Sequence, residues 1–191
     1  VSAGGEGMTR TIIQGFEAEF RKHRRYAEEA TGQLPWELLR VPLDPETNSI
    51  AVIMKHLGGN LRSRWTDALT TDGEKPWRNR DTEFVDDFAD RAAMDVAWRA
   101  GWDVLEQSLA TFTDEDLGKT LKIRGEPHTL ALALTRSLAH AAYHAGQIVM
   151  IARVLASKHG LGWKVLTIAR GQSAAFNARM GFEPAKRPSG A

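Results

Sequence analysis

The sequence predicts an all-α protein: a four-helix bundle with a short hairpin before the last bundle helix and a C-terminal tail packed on the bundle. Three observations lead there. Four long segments repeat apolar side chains at the i, i+3, i+4, i+7 spacing of amphipathic helices. Pro35, Pro42 and Pro45 fall together in one connector, where proline breaks regular helix. A single short stretch, Lys119–Thr129, alternates in the manner of strands around Gly125. At 191 residues the chain fits one domain large enough to bury a core, expected over 9–177. Residues 1–8 read as a flexible leader and 178–191 as a flexible tail.

In the first helix, Thr9 to Ala30, the positions Ile12, Ile13, Phe16, Phe20 and Ala27 form the apolar stripe. Thr9 is the expected N-cap, and Gly32 follows the end. The run Arg21–Arg25, with His23, reads as a solvated face. A second helix is expected from Asn48 or Ser49 to Leu69. Gly58 and Gly59 inside it each cost about 1 kcal/mol against alanine, so a neighbouring helix or a ligand should come close there. The polar stretch Thr70–Phe84 is too long for a tight turn and should be anchored by Trp77 and Phe84.

A third helix covers Asp87–Thr111, with Ala93, Val96, Ala97, Ala100, Val104 and Leu109 expected to be buried and Trp98 and Trp102 assigned to the core. Thr113–Asp116 resembles a cap, and His128 beside Pro127 reads as structural or exposed. The fourth helix runs from Thr129 to Lys158 on the stripe Leu130, Leu134, Ala141, Ile148 and Leu155, and stops at Gly160. The tail Trp163–Asn177 should pack along the bundle or across a dimer.

Composition narrows the chemistry. There are no cysteines, so thiolate nucleophiles, thiolate ligands and disulfides are all excluded, and a metal would rest on imidazole and oxygen donors. A net charge of +1 gives no electrostatic footprint for nucleic acid. No apolar run has the length of a membrane span, and the first residues lack the apolar stretch of a signal peptide. The expected location is therefore the cytoplasm.

His140 and His144 stand one helical turn apart, so their imidazoles can reach a common point. Either they share a divalent metal or they satisfy hydrogen bonds at a helix interface. His56, on the second helix, falls off the Ile50, Ile53, Leu57, Leu61 stripe and shares a face with Asn60. The position after His140 is Ala141, where a zincin protease carries its general-base glutamate, so that protease route is excluded.

Several motifs taken together resemble the DinB-like superfamily: Met54-Lys-His-Leu57, Gly73-Glu-Lys-Pro-Trp-Arg-Asn-Arg-Asp81, Ile123-Arg-Gly-Glu-Pro-His128, His140-Ala-Ala-Tyr-His-Ala-Gly-Gln147 and Arg170–Asn177. They are most similar to its branch described as domain of unknown function 1572. The resemblance implies a commonly dimeric bundle in which His56, His140 and His144 bind a divalent metal, with zinc or nickel fitting best and iron or manganese also compatible. It further implies a small-molecule substrate and a low-molecular-weight thiol as cosubstrate of a transferase. A metal-dependent hydrolase and a non-catalytic dimeric metal-binding or interaction module stand as alternatives. Around the metal, Asn60 and Gln147 are candidates to hydrogen-bond the histidines. Tyr143 is a candidate proton donor or packing residue. Arg78 and Arg80, beside Trp77, either clamp a carboxylate or phosphate or pair with Asp81 and Glu83 to hold the loop.

Overall fold

The computed structural model describes residues 9–183, so the leader 1–8 and the tail residues 184–191 lie outside the described residues. Helical periodicity is realised in α1 (Thr11–Thr31), the single-turn α2 (Trp36–Leu39), α3 (Ile50–Trp65), α4 (Arg91–Thr111), α5 (Leu130–Lys158) and the short α6 (Ser173–Arg179). The bundle consists of α1, α3, α4 and α5, with α3 packed chiefly on α4 and α1 on α5. None of the described helices is long and apolar enough to cross a membrane.

Local chemistry sets the helix starts. Ser49, Asp90 and Thr129 each accept a hydrogen bond from the backbone N–H three residues on, at 3.3, 2.8 and 3.2 Å. Thr9 does not cap α1. The Asp114 carboxylate does so from a distant part of the chain, accepting from the Ile12 and Ile13 N–H groups at 3.0–3.1 Å. The carbonyl of Thr9 in turn accepts from the Asp114 N–H at 2.9 Å. That clamp leaves Ile12 exposed rather than in the core. The second helix also stops earlier than expected, at Trp65, followed by a turn in which Asp67 takes a positive φ of 46°.

The α5 stripe Leu130, Leu134, Ala141, Ile148 and Leu155 is fully buried, as its periodicity requires. On α4 the expected core face is only partly realised: Trp98, Trp102 and Leu109 are buried as expected, while Ala93, Ala97 and Val104 are half-buried. Met94, Trp98, Gly101, Trp102, Leu105 and Leu109 face the core, whereas Val96 and Ala100 are exposed. Two indoles bury more apolar area than one valine and one alanine, so the face that carries Trp98 and Trp102 is the one turned to the core.

The glycines of α3 have separate partners. A Cβ on Gly58 would stand 2.9 Å from the Ala97 carbonyl oxygen, and one on Gly101 would collide with the Gly58 backbone, so α3 and α4 meet backbone to backbone. A Cβ on Gly59 would collide with the Glu83 carboxylate. The cost of two helical glycines thus makes room for a helix and for a carboxylate.

The hairpin pairs β1 (Thr120–Ile123) with β2 (Glu126–Thr129) through Arg124 and Gly125, whose positive φ values of 54° and 78° define a type I′ turn. Asp72 accepts from both turn N–H groups at 2.8 and 2.7 Å. Ser63 of α3 donates to the Gly73 carbonyl at 2.8 Å. The polar connector is thereby fastened between α3 and the hairpin before it ends in a 3₁₀ turn at Asp81–Phe84. Trp77 is not an anchor: it is 52% exposed, with the Arg62 guanidinium 4.9 Å above its ring. In the tail, Trp163 and Leu166 pack on the core and Gln33 bonds both backbone groups of Lys164, but α6 buries no residue.

Candidate metal centre

Three imidazoles from two helices converge. His56 of α3 and His140 of α5 approach Nε2 to Nε2 at 3.3 Å, and His144 Nε2 lies 3.0 Å from His140 Nε2. Two ligands bound about 2.0–2.1 Å from one tetrahedral ion stand about 3.3 Å apart, close to the two distances at His140, and ligand atoms of all three residues lie within 4.8 Å of one another.

The other ring nitrogens of His56 and His144 are fixed from outside the cluster. His56 Nδ1 meets Glu83 Oε2 at 2.9 Å, and His144 Nδ1 meets Gln147 Oε1 at 2.8 Å. Both partners are acceptors, so in the neutral rings the proton sits on Nδ1 and the Nε2 lone pairs turn inward toward His140. A proton on His140 Nε2 can satisfy only one of those lone pairs. A cation at the centre satisfies all three nitrogens, and this donor chemistry fits a divalent metal. Protons compete weakly for His140 and His144. Burial, followed by repulsion from His144 and His56, pushes the His140 imidazole down to about 3. Burial likewise lowers His144.

Glu83 links the cluster to the loop. Arg78 grips its carboxylate with two bonds of 2.8 and 2.9 Å and reaches Glu74 at 3.2 Å. Burial pushes the Glu83 carboxyl up, but bonds from His56 and Arg78 outweigh it and hold it below the usual carboxylate range. Phe84 stacks on the His56 ring at 4.7 Å between centroids. The four-residue 3₁₀ turn therefore supplies both the hydrogen-bond acceptor and the apolar cover for one imidazole.

The other sequence-predicted residues divide. Gln147 orients His144, and its amide donates to the Tyr143 hydroxyl at 3.1 Å. Tyr143 is 63% exposed, so it does not pack against a neighbouring helix. Asn60 lines a cleft of about 380 Å³ beside His56 and His140 but makes no hydrogen bond to either ring. Trp77 points to solvent, and Arg78 is consumed by Glu83 and Glu74, so neither forms an anion clamp. Arg80 does line the cleft, its guanidinium 4.9 Å over the Phe84 ring. His128 is buried and bonded to Arg136, a structural role. A larger groove of about 740 Å³, lined by Tyr26, Val149 and Met150, is mostly apolar and lies on another face of α5.

Sequence reasoning named Glu83 only as a loop partner and missed Arg64 and Arg136. A signal for both arginines exists: His56, Asn60 and Arg64 recur every fourth residue, as do Arg136, His140 and His144. Each series lies on one helix face that continues from the histidines.

Fold and site together define a helical bundle with an internal three-imidazole cluster. The chain belongs to the DUF1572 family, described as a protein family of unknown function, whose model matches residues 7–172. Solved structures share the fold at low identity. One is YfiT from Bacillus subtilis, described as a probable metal-dependent hydrolase with an unusual four-helix bundle topology: TM-score 0.58, 16% identity, covering 84% of this chain and 95% of that one. A DinB-like protein from Bacillus cereus gives TM-score 0.55 at 18% identity over 81% and 97% of the two chains. A conserved protein from Enterococcus faecalis gives 0.55 at 17% over 78% and 99%. No curated protein matches the chain.

Proposed function

We propose that the protein is a metal-dependent enzyme in which His56, His140 and His144 hold one divalent ion, zinc or nickel by preference, beside a cleft for a small-molecule substrate. The observation that carries this reading is the convergence of three imidazoles through Nε2, with the outer nitrogens of two of them, His56 and His144, already bonded to Glu83 and Gln147. Three imidazole donors are fewer than the four of a closed structural site, which suits catalysis. Such an ion would supply Lewis acidity and lower the pKa of a nucleophile at the site. The chain's own residues do the rest: Glu83 and Gln147 hold the rings in the binding tautomer, and Phe84 shields the His56 ring.

The nucleophile separates two reactions. Water as nucleophile makes the enzyme a hydrolase, a reading supported by the likeness to the Bacillus subtilis protein described as a probable metal-dependent hydrolase and requiring no cosubstrate. An external low-molecular-weight thiol makes it an S-transferase, favoured by a chain that has no cysteine of its own. The test is an activity screen of metal-loaded protein on ester, amide and phosphoester substrates, and on electrophiles with bacillithiol, mycothiol or glutathione. Turnover that disappears with a chelator and in His140→Ala supports the enzyme. Turnover equal with and without metal contradicts it.

A further inference from the structure

The cleft beside His56 and His140 is walled by five arginines, and among the described residues only two of them, Arg78 and Arg124, pair with a carboxylate. Arg78 is neutralised by Glu83 and Glu74, and Arg124 by Glu74. Among the described residues, Arg64, Arg80 and Arg136 form no ion pair. Arg80 lies over Phe84, and Arg136 reaches only the His128 ring. Arg64 donates no hydrogen bond among the described residues, and its Nη1 is buried, close against Gly73.

Such an arrangement is costly. A buried guanidinium nitrogen without a partner loses its hydration with nothing in return. Burial, then the charge of Arg78, lowers Arg64 from its ordinary value, and Arg136 and Arg124 add repulsion that Glu74 only partly offsets. The single carboxylate on the cleft wall among the described residues, Glu126, sits on the exposed strand β2. Unpaired positive charge therefore exceeds negative charge around a space of about 380 Å³, the size of a small-molecule pocket.

We propose that this cleft binds an oxyanion group of a small substrate, a carboxylate or a phosphate, through Arg64, Arg136 and Arg80. Guanidinium forks present paired N–H donors that match either group. Arg64 continues the α3 face that carries His56 and Asn60, and Arg136 continues the α5 face that carries His140. The anion would thus lie to one side of the histidines, with the rest of the substrate directed at them. That last placement rests on the metal-dependent reading above; the anion site itself rests on the arginines.

The test is isothermal titration of the full chain, as purified and after chelator treatment, with inorganic phosphate and with succinate in low-chloride buffer. One saturable site per chain is expected for at least one anion in both preparations, and the preferred anion identifies the group. Arg64→Gln and Arg136→Gln should each weaken binding at least about 10-fold while leaving metal content unchanged. If Arg64→Gln fails to fold, Arg80→Gln, at an exposed position, carries the same comparison. No saturable binding of either anion, or undiminished binding in the folded arginine variants, overturns the proposal. Arginine-dependent anion binding by protein that never retains metal would leave this site standing and remove the metal reading. Retained metal without anion binding would do the reverse.

Discussion

Replacing Glu83 with glutamine isolates the contribution of the carboxylate behind His56. Glu83 is 6% exposed, accepts from His56 Nδ1 at 2.9 Å and takes both bonds of the Arg78 fork. Glutamine retains one carbonyl acceptor but removes the charge, and its amide hydrogens oppose one of the three donors. Loss of such an acceptor behind a ligating histidine weakens metal binding about 10- to 100-fold. Arg78 is also left without its buried counter-charge, and breaking a buried pair costs about 3–5 kcal/mol when a partner is removed outright. Glutamine, which keeps a hydrogen bond, should stay below that range. The assay pairs a competitive chelator titration for affinity with urea denaturation of metal-free protein for stability. Unchanged metal affinity in a folded Glu83→Gln protein would refute the link between Glu83, the His56 tautomer and the ion.

Gly59→Ala pushes a methyl group into the Glu83 carboxylate, so it should lower metal affinity in the same chelator titration despite alanine's better helix propensity. Asp114→Ala removes the distant cap of α1 and should cost about 1 kcal/mol in urea denaturation, with metal content unchanged. Stability of the metal-free protein should fall as pH drops from about 6.5 toward about 3. In that window the unfolded His140 takes up a proton and the folded one does not; above it the contribution is fully present. Thermal melts across the range check the sign, and a flat profile would contradict it.

What was legible in the sequence follows from how much of each feature is local. The α5 stripe, the hairpin turn and the His140–His144 pair all lie within a few residues of their partners, so periodicity and spacing reveal them. The core face of α4 depends on which of several apolar residues the neighbouring helices can bury, and the pattern alone misplaced Val96 and Ala100. The α1 cap comes from Asp114, and no local rule reaches that far along the chain. Gly59 was recognisable as a place of close approach, but its occupant, Glu83, becomes visible only once the 70–84 loop is fastened to α3 by Ser63. Arg78 fitted either an anion clamp or a loop pair until its partners were placed. Arg64 and Arg136 were missed, although the four-residue spacing that continues each histidine face carries a signal for both.

Metal analysis of protein purified without a metal-affinity column, beside His56→Ala, His140→Ala and His144→Ala, tests the central claim most directly. One divalent ion per chain in the parent protein, lost or sharply reduced in each single variant while helical content is retained, is the predicted result. Full occupancy in His56→Ala, or a metal-free parent that takes up no zinc or nickel on addition, would contradict a site shared by the three histidines.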